Sequence, residues 1–377
     1  MKAAIYIHVP FCVKKCMYCD FYSVHNRNDE IERFICSLLK EIDSTDETLL
    51  QNWDFISIYF GGGTPSILES KYIDRILNKL SGKFALSNVI EISLEANPGE
   101  APLSRLKNYR KSGINRLSLG IQSFHSELLK FLTRIHSVED CYSIIRNAQS
   151  AGFENISIDL INNIPGQSKK MWKEDLKTAI ELNPNHISAY SLTVEKGTVL
   201  HQKIKEGSIN MPTEKVDVDM FNITHETLDR NGYPAYEISN FAPTGYECVH
   251  NLGYWKLQPY LGFGPSAHSY DVTRRYWNTP SLDDYIESVE TDISPVCGEE
   301  ILSLNDKFNE LVFNGLRMKN GVLIDELIRA FSGNFQEYLN KKLKKWKYLQ
   351  VDGSHIKLSK NGMIFADEIS SDLFLID

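Results

Sequence analysis

From residue 3 to about residue 190, short apolar or alternating runs are each followed by a stretch with apolar residues spaced by three and four. The first period belongs to strands and the second to helices packed by one face. Strands are predicted at 3–9, 55–60, 89–95, 115–122, 155–161 and 186–192, with helices at 30–42, 71–80, 102–113 and 169–182 between them. Strand and helix taking turns imply βα units around a parallel sheet, here an α/β fold of the partial (β/α)6 barrel kind. Beyond residue 200 the pattern changes to one long predicted helix at 214–232 and an aromatic and glycine-rich stretch at 233–270, too irregular for another plain βα unit. From about residue 300, helical segments at 305–321, 322–333 and 335–350 precede short strands at 354–359 and 362–366, a winged-helix-like order. The expected division is 1–200 for the barrel, 201–298 for an irregular α+β extension and 299–377 for the C-terminal region.

The alternation also sorts side chains by face, because successive residues of a strand point to opposite sides of the sheet. In Glu91-Ile-Ser-Leu-Glu95, Ile92 and Leu94 share one face and Glu91, Ser93 and Glu95 the other. Ser118, Gly120 and Gln122 are likewise set against Leu117, Leu119 and Ile121, and Ser157 and Asp159 against Ile156 and Ile158. Three strands thus carry small residues and then one polar residue at their C-terminal ends, which predicts a ligand cavity at that mouth of the barrel.

Composition narrows the partners. Lys plus Arg number 41 and Asp plus Glu 49, a net charge of −8, which argues against broad electrostatic capture of nucleic acid. The run KKLKKWK at 341–347 reads as a solvated amphipathic face rather than a nucleic-acid module. No stretch approaches the roughly 20 apolar residues needed to span a bilayer. The first twelve residues lack the pattern of an export signal, so a cytoplasmic chain with no transmembrane segment is expected.

Three of the seven cysteines crowd into Cys12-Val-Lys-Lys-Cys16-Met-Tyr-Cys19, directly after the first predicted strand. Unrelated buried thiols, or zinc completed by His8 or His25, are possible readings of that crowding. Structural zinc usually takes four closed ligands in pairs, however, and Cys36, Cys141, Cys248 and Cys297 stand singly. A cubane cluster held by three thiolates keeps one iron open to an outside ligand. Gly61-Gly62-Gly63-Thr64-Pro65 closes the second predicted strand. It is either a plain strand-to-helix turn or a place where bare backbone approaches a ligand.

The C-x3-C-x2-C loop after a first strand, with GGGTP, resembles the radical S-adenosylmethionine (SAM) proteins. Tyr6-Ile-His-Val-Pro-Phe-Cys12, Phe60-Gly-Gly-Gly-Thr-Pro65, Gly120-Ile-Gln-Ser-Phe124 and Asp159-Leu-Ile extend the resemblance to the branch related to oxygen-independent coproporphyrinogen dehydrogenases. The resemblance implies a radical SAM barrel, a 4Fe–4S cluster on Cys12, Cys16 and Cys19, and SAM contacts from Tyr6, Tyr18, Gly62, Gly63, Thr64, Glu95, Gln122, Arg134 and Asp159. Arg134 rests on the resemblance alone; by itself it reads as a solvated charge.

Within that branch, the dehydrogenases carry a further cysteine two positions after the third ligand and an N-terminal extension. Here Cys19-Asp20-Phe21 follows the loop, and only five residues precede Tyr6. His250-Asn-Leu-Gly-Tyr254-Trp255 is instead similar to the H-N-x-x-Y-W motif of the HemW group of heme chaperones. That likeness implies heme as the bound partner, with His250 toward its iron. It also implies delivery to an acceptor protein, for which a membrane respiratory enzyme is one expectation. The alternative is an enzyme that decarboxylates coproporphyrinogen III by a radical route.

Overall fold

The computed structural model describes residues 1–376. Six parallel strands alternate with helices as the sequence pattern predicts: β1 (Lys2–Val9), β2 (Asp54–Gly62), β3 (Glu91–Ala96), β4 (Arg116–Gln122), β5 (Ile156–Asn162) and β6 (His186–Ser191). Their apolar positions, among them Ile5, Ile7, Ile58, Phe60, Leu94, Leu117, Leu119 and Ile158, are buried in one core with Phe34, Leu38, Ile73, Leu80, Leu106 and Trp172. Burial of this outer face fixes strand register, since a slip of one residue would send every polar inward residue into that core.

The extension joins the barrel sheet. β7 (Asn240–Phe241) pairs antiparallel with β6, and β8 (Tyr260–Phe263) pairs parallel with β1, so the barrel sheet is lengthened at both edges. β9 (His268–Tyr270), β10 (Arg274–Asn278) and β11 (Val296–Ile301) continue outward from β8 as antiparallel strands. The result is one open eleven-stranded sheet in the order β11-β10-β9-β8-β1-β2-β3-β4-β5-β6-β7.

The C-terminal residues gather around their own apolar cluster of Phe308, Val312, Leu316, Leu327, Leu339, Ile356 and Ile369, with a three-stranded antiparallel sheet beside it. Ser303 opens this region with a reciprocal cap: its hydroxyl accepts from the Asp306 amide, and Asp306 accepts from the Ser303 amide. The predicted strand at 362–366 is instead part of a 3-10 turn, Lys360–Phe365, in which Gly362 sits against Tyr348. The helix predicted over 335–350 ends at Lys345, and Leu349–Asp352 pairs as a strand with His355–Leu358. Among the described residues, no helix is long and apolar enough to cross a membrane.

Candidate functional site

β1 delivers the chain into a loop whose ends are tied by backbone. The Gly63 amide donates to Val9 O at 2.8 Å and the Thr64 amide to Phe11 O at 2.7 Å, so the glycine turn clasps the start of the cysteine loop. A Cβ on Gly63 would lie 2.6 Å from Phe11 O, and one on Gly62, at φ +109°, 2.7 Å from the His8 ring. We expect Gly63→Ala to cost roughly 2 kcal/mol of stability, read as a lower denaturant midpoint at unchanged slope.

Cys12, Cys16 and Cys19 all border one cavity of about 720 Å³, and none of the other four cysteines lines it. Thr64 donates from its hydroxyl to Cys12 Sγ at 3.5 Å and accepts from Asn97 Nδ2 at 3.0 Å. Arg134 Nη1 donates to Cys16 Sγ at 3.6 Å, while Nη2 donates to Gly120 O at 2.9 Å. Arg134 is therefore a partly buried bridge between the loop and β4 rather than a solvated charge. Burial pushes the Cys19 thiol up to about 11 and raises Cys12 as well.

The same cavity is walled by the inward faces of the strands. Tyr18, Gly62, Gly63, Thr64, Glu95, Gln122, Arg134 and Asp159 all line it. Glu95 accepts from the Tyr59 hydroxyl at 2.9 Å, and burial pushes its carboxyl up to about 7. Asp159 accepts from Ser118 Oγ at 2.9 Å and Ser157 Oγ at 3.2 Å, and burial raises it too. Gln122 takes φ +68° beyond a register shift between β4 and β5, so the strand buckles where its polar residue faces the cavity.

Two expected residues stand elsewhere. Tyr6 lies behind the wall, its hydroxyl 3.1 Å from His8 Nδ1 and its ring stacked on Tyr59. His250 is 1% exposed, and both of its ring nitrogens are engaged: Nδ1 lies 3.0 Å from Ser57 Oγ and Nε2 3.0 Å from the Tyr254 hydroxyl. Its ring stacks on Tyr59 at 4.9 Å, and burial pushes its pKa down to about 3. The structure does not bring His250 to this cavity; its neighbour Asn251 lines it instead.

Sequence reasoning passed over Arg116, Tyr59, Asn97, Ser188 and Tyr190, which also line the cavity. Arg116 is 1% exposed and one alternation step before Ser118, so extending the face reading back by two residues would have found it. Tyr59 and Tyr190 carry the same signal on β2 and β6.

By its chemistry the donor set suits a cubane cluster beside a zwitterionic ligand, although among the described residues no three His, Cys, Asp or Glu side chains are already drawn together as a metal site. Three thiols share one loop, Gly120 stands where a side chain would meet the cavity-lining Asn97, Gln122 and Arg134, and the Nε atoms of Arg116 and Arg134 have no hydrogen-bond partner within the described protein. Carboxylates and guanidinium groups face one space, so it suits a molecule bearing both an ammonium and a carboxylate.

Residues 6–179 match the Radical SAM superfamily, and residues 302–365 match the HemN C-terminal domain. The solved structure of coproporphyrinogen III oxidase HemN from Escherichia coli superposes with a TM-score of 0.85 at 24% identity, over 99% of this chain and 90% of that one. Fold and site together define a radical SAM protein of the HemN type. The heme chaperone HemW of Lactococcus lactis is 34% identical over 99% of this chain and 97% of its own length, and that of Bacillus subtilis 32% over 98% of each. The chain belongs to the HemW family.

Proposed function

We propose that this protein is a heme carrier that takes up heme and hands it to an acceptor protein, with a 4Fe–4S cluster on Cys12, Cys16 and Cys19 and SAM beside it. The observation that carries the cluster and SAM part is the convergence of the cysteine loop with Glu95, Gln122, Arg134 and Asp159 on one cavity. The name of its relatives and the HNxxYW segment support heme as the cargo. The barrel is residues 1–200, the heme segment belongs to 201–298, and 299–377 forms the third unit.

Bound together, cluster and SAM supply one-electron chemistry at the SAM sulfonium. The protein's part is positioning. Arg134, which steadies Cys16, and the buried carboxyls of Glu95 and Asp159 would hold SAM by its charged and hydrogen-bonding groups. Gly62 and Gly63 admit it against bare backbone. Tyr6 acts through Tyr59, holding the ring that donates to Glu95.

A Cβ on Gly120 would lie 2.8 Å from Asn97 Oδ1, 3.1 Å from Gln122 Nε2 and 3.3 Å from Arg134 Nη2. Gly120→Val is expected to weaken SAM binding at least about tenfold, close to 1.4 kcal/mol, in anaerobic calorimetry of the cluster-loaded chain. Unchanged affinity would place SAM elsewhere. The carrier reading is tested by supplying the cluster-loaded protein with coproporphyrinogen III, SAM and reductant in one vessel and with heme in another. Retained heme without decarboxylated product supports the carrier; product formation makes it a dehydrogenase.

A further inference from the structure

A second cavity, of about 410 Å³, opens beside the sheet extension and is lined by Tyr254, Tyr260, His268, Tyr270, Arg275 and Asn314 among others. Its volume falls in the range of sites that enclose a sizeable organic ligand. Strand pairing builds its floor. Tyr260 on β8 faces Tyr270 on β9, and Tyr270 faces Arg275 on β10. His268 sits two residues before Tyr270 and therefore on the same face, opposite Trp277, whose ring stacks on it at 5.5 Å and 27°. Gly298 of β11 makes room for that indole, since a Cβ there would lie 2.5 Å from it.

The walls are aromatic and fixed. Tyr254 meets Tyr260 edge to face at 4.7 Å, and Tyr260 lies 6.2 Å from Tyr270. The Arg275 guanidinium stands 5.5 Å over the Tyr270 ring and is held by Glu310 at 2.8 Å. Such surfaces suit a flat, extended π-system.

The histidines near this extension differ in what their nitrogens do. His8, His186 and His250 each have both ring nitrogens within hydrogen-bond distance of a partner. The His268 ring, exposed at the cavity mouth, stacks on Trp277 and takes no hydrogen bond from the described residues. A ring nitrogen with no hydrogen-bond partner keeps a lone pair available to a metal.

We propose that this aromatic cavity seats the heme, with His268 as the imidazole that reaches the iron and His250 as a positioning residue that fixes Tyr254 in the wall. The proposal rests on the heme-carrier reading and gives the HNxxYW segment a physical role. The buried His250 Nε2 engages the Tyr254 hydroxyl, so the first residue of the motif orients the fifth. An open mouth beside His268 leaves one edge of the cargo accessible, as transfer to another protein requires.

The full chain, titrated with hemin and followed by the Soret band, tests this. Wild type is expected to give a histidine-ligated spectrum. His268→Ala should lose that spectrum and bind at least about tenfold more weakly, with added imidazole restoring the band position. His250→Phe should keep the histidine-ligated spectrum while affinity falls by up to about tenfold, as when a ligand's support is removed. His268 is exposed, so unchanged thermal unfolding of His268→Ala is the control for folding. A wild-type spectrum and affinity in His268→Ala, with ligation lost in His250→Phe, would overturn the assignment while leaving the carrier reading standing. A wild-type chain that takes up no hemin would overturn both.

Discussion

Cys16→Ser, reconstituted without oxygen in the presence of iron and sulfide, is expected to retain less than about a quarter of the wild-type acid-labile sulfide. Cys16 is the middle of the three loop cysteines and the one that Arg134 contacts, so in the proposed site its thiolate would be both a ligand and the anchor of the loop to β4. Serine keeps the size but replaces a soft thiolate with a hard alcohol that stays protonated. Cys36→Ser and Cys297→Ser, at exposed positions outside the cavity, should load like wild type. Iron and sulfide analysis beside a melting curve separates ligand loss from unfolding. Equal loading in Cys16→Ser would place the cluster elsewhere.

Glu41→Ala is the largest expected loss of stability. Glu41 sits in the helix Ile31–Ser44 and is buried among residues far along the chain. Its carboxylate accepts from the Gly264 amide at 2.9 Å, Asn278 Nδ2 at 2.6 Å and the Tyr285 hydroxyl at 2.6 Å. One side chain thus ties the barrel's first helix to the extension beyond β8. Removing it strands three buried donors, which costs about 3 kcal/mol or more. Burial pushes the Glu41 carboxyl up to about 7 from its ordinary 4.5. A raised folded-state pKa means that the folded chain binds this proton more tightly than the unfolded one. Its contribution is therefore full below about pH 4.5 and is lost as pH rises through about 7. Urea unfolding should accordingly show a larger gap between wild type and Glu41→Ala at pH 5 than at pH 8. A gap that widens with pH would mean that the carboxylate is stabilised as an anion.

Much of the barrel was legible because its strands obey a period of two with an apolar outer face. The same alternation that predicted six strands also placed Glu95, Gln122 and Asp159 together at one mouth. Arg116 was passed over because the face was read from Leu117 onward, although the charge sits in step with Ser118. The extension was not legible for a different reason. β8 is four residues long, and its partner β1 is more than 250 positions away in the chain, so no local period announces their pairing. At 362–366 an apolar run suggested a strand, yet close packing of Gly362 on Tyr348 curls the segment into a turn. His250 shows the limit most clearly. Its motif marks the residue, but only the fold reveals that Ser57 and Tyr254 occupy both nitrogens.

The proposed function centres on SAM binding at an iron that the three cysteines would leave open. Its most direct measurement is the electron paramagnetic resonance spectrum of the reduced, reconstituted protein with and without SAM. A cluster signal that shifts on adding SAM, and that needs at least about tenfold more SAM to shift in Gly120→Val, is the predicted result. A cluster signal indifferent to SAM, or a preparation that binds zinc and no sulfide, would contradict it.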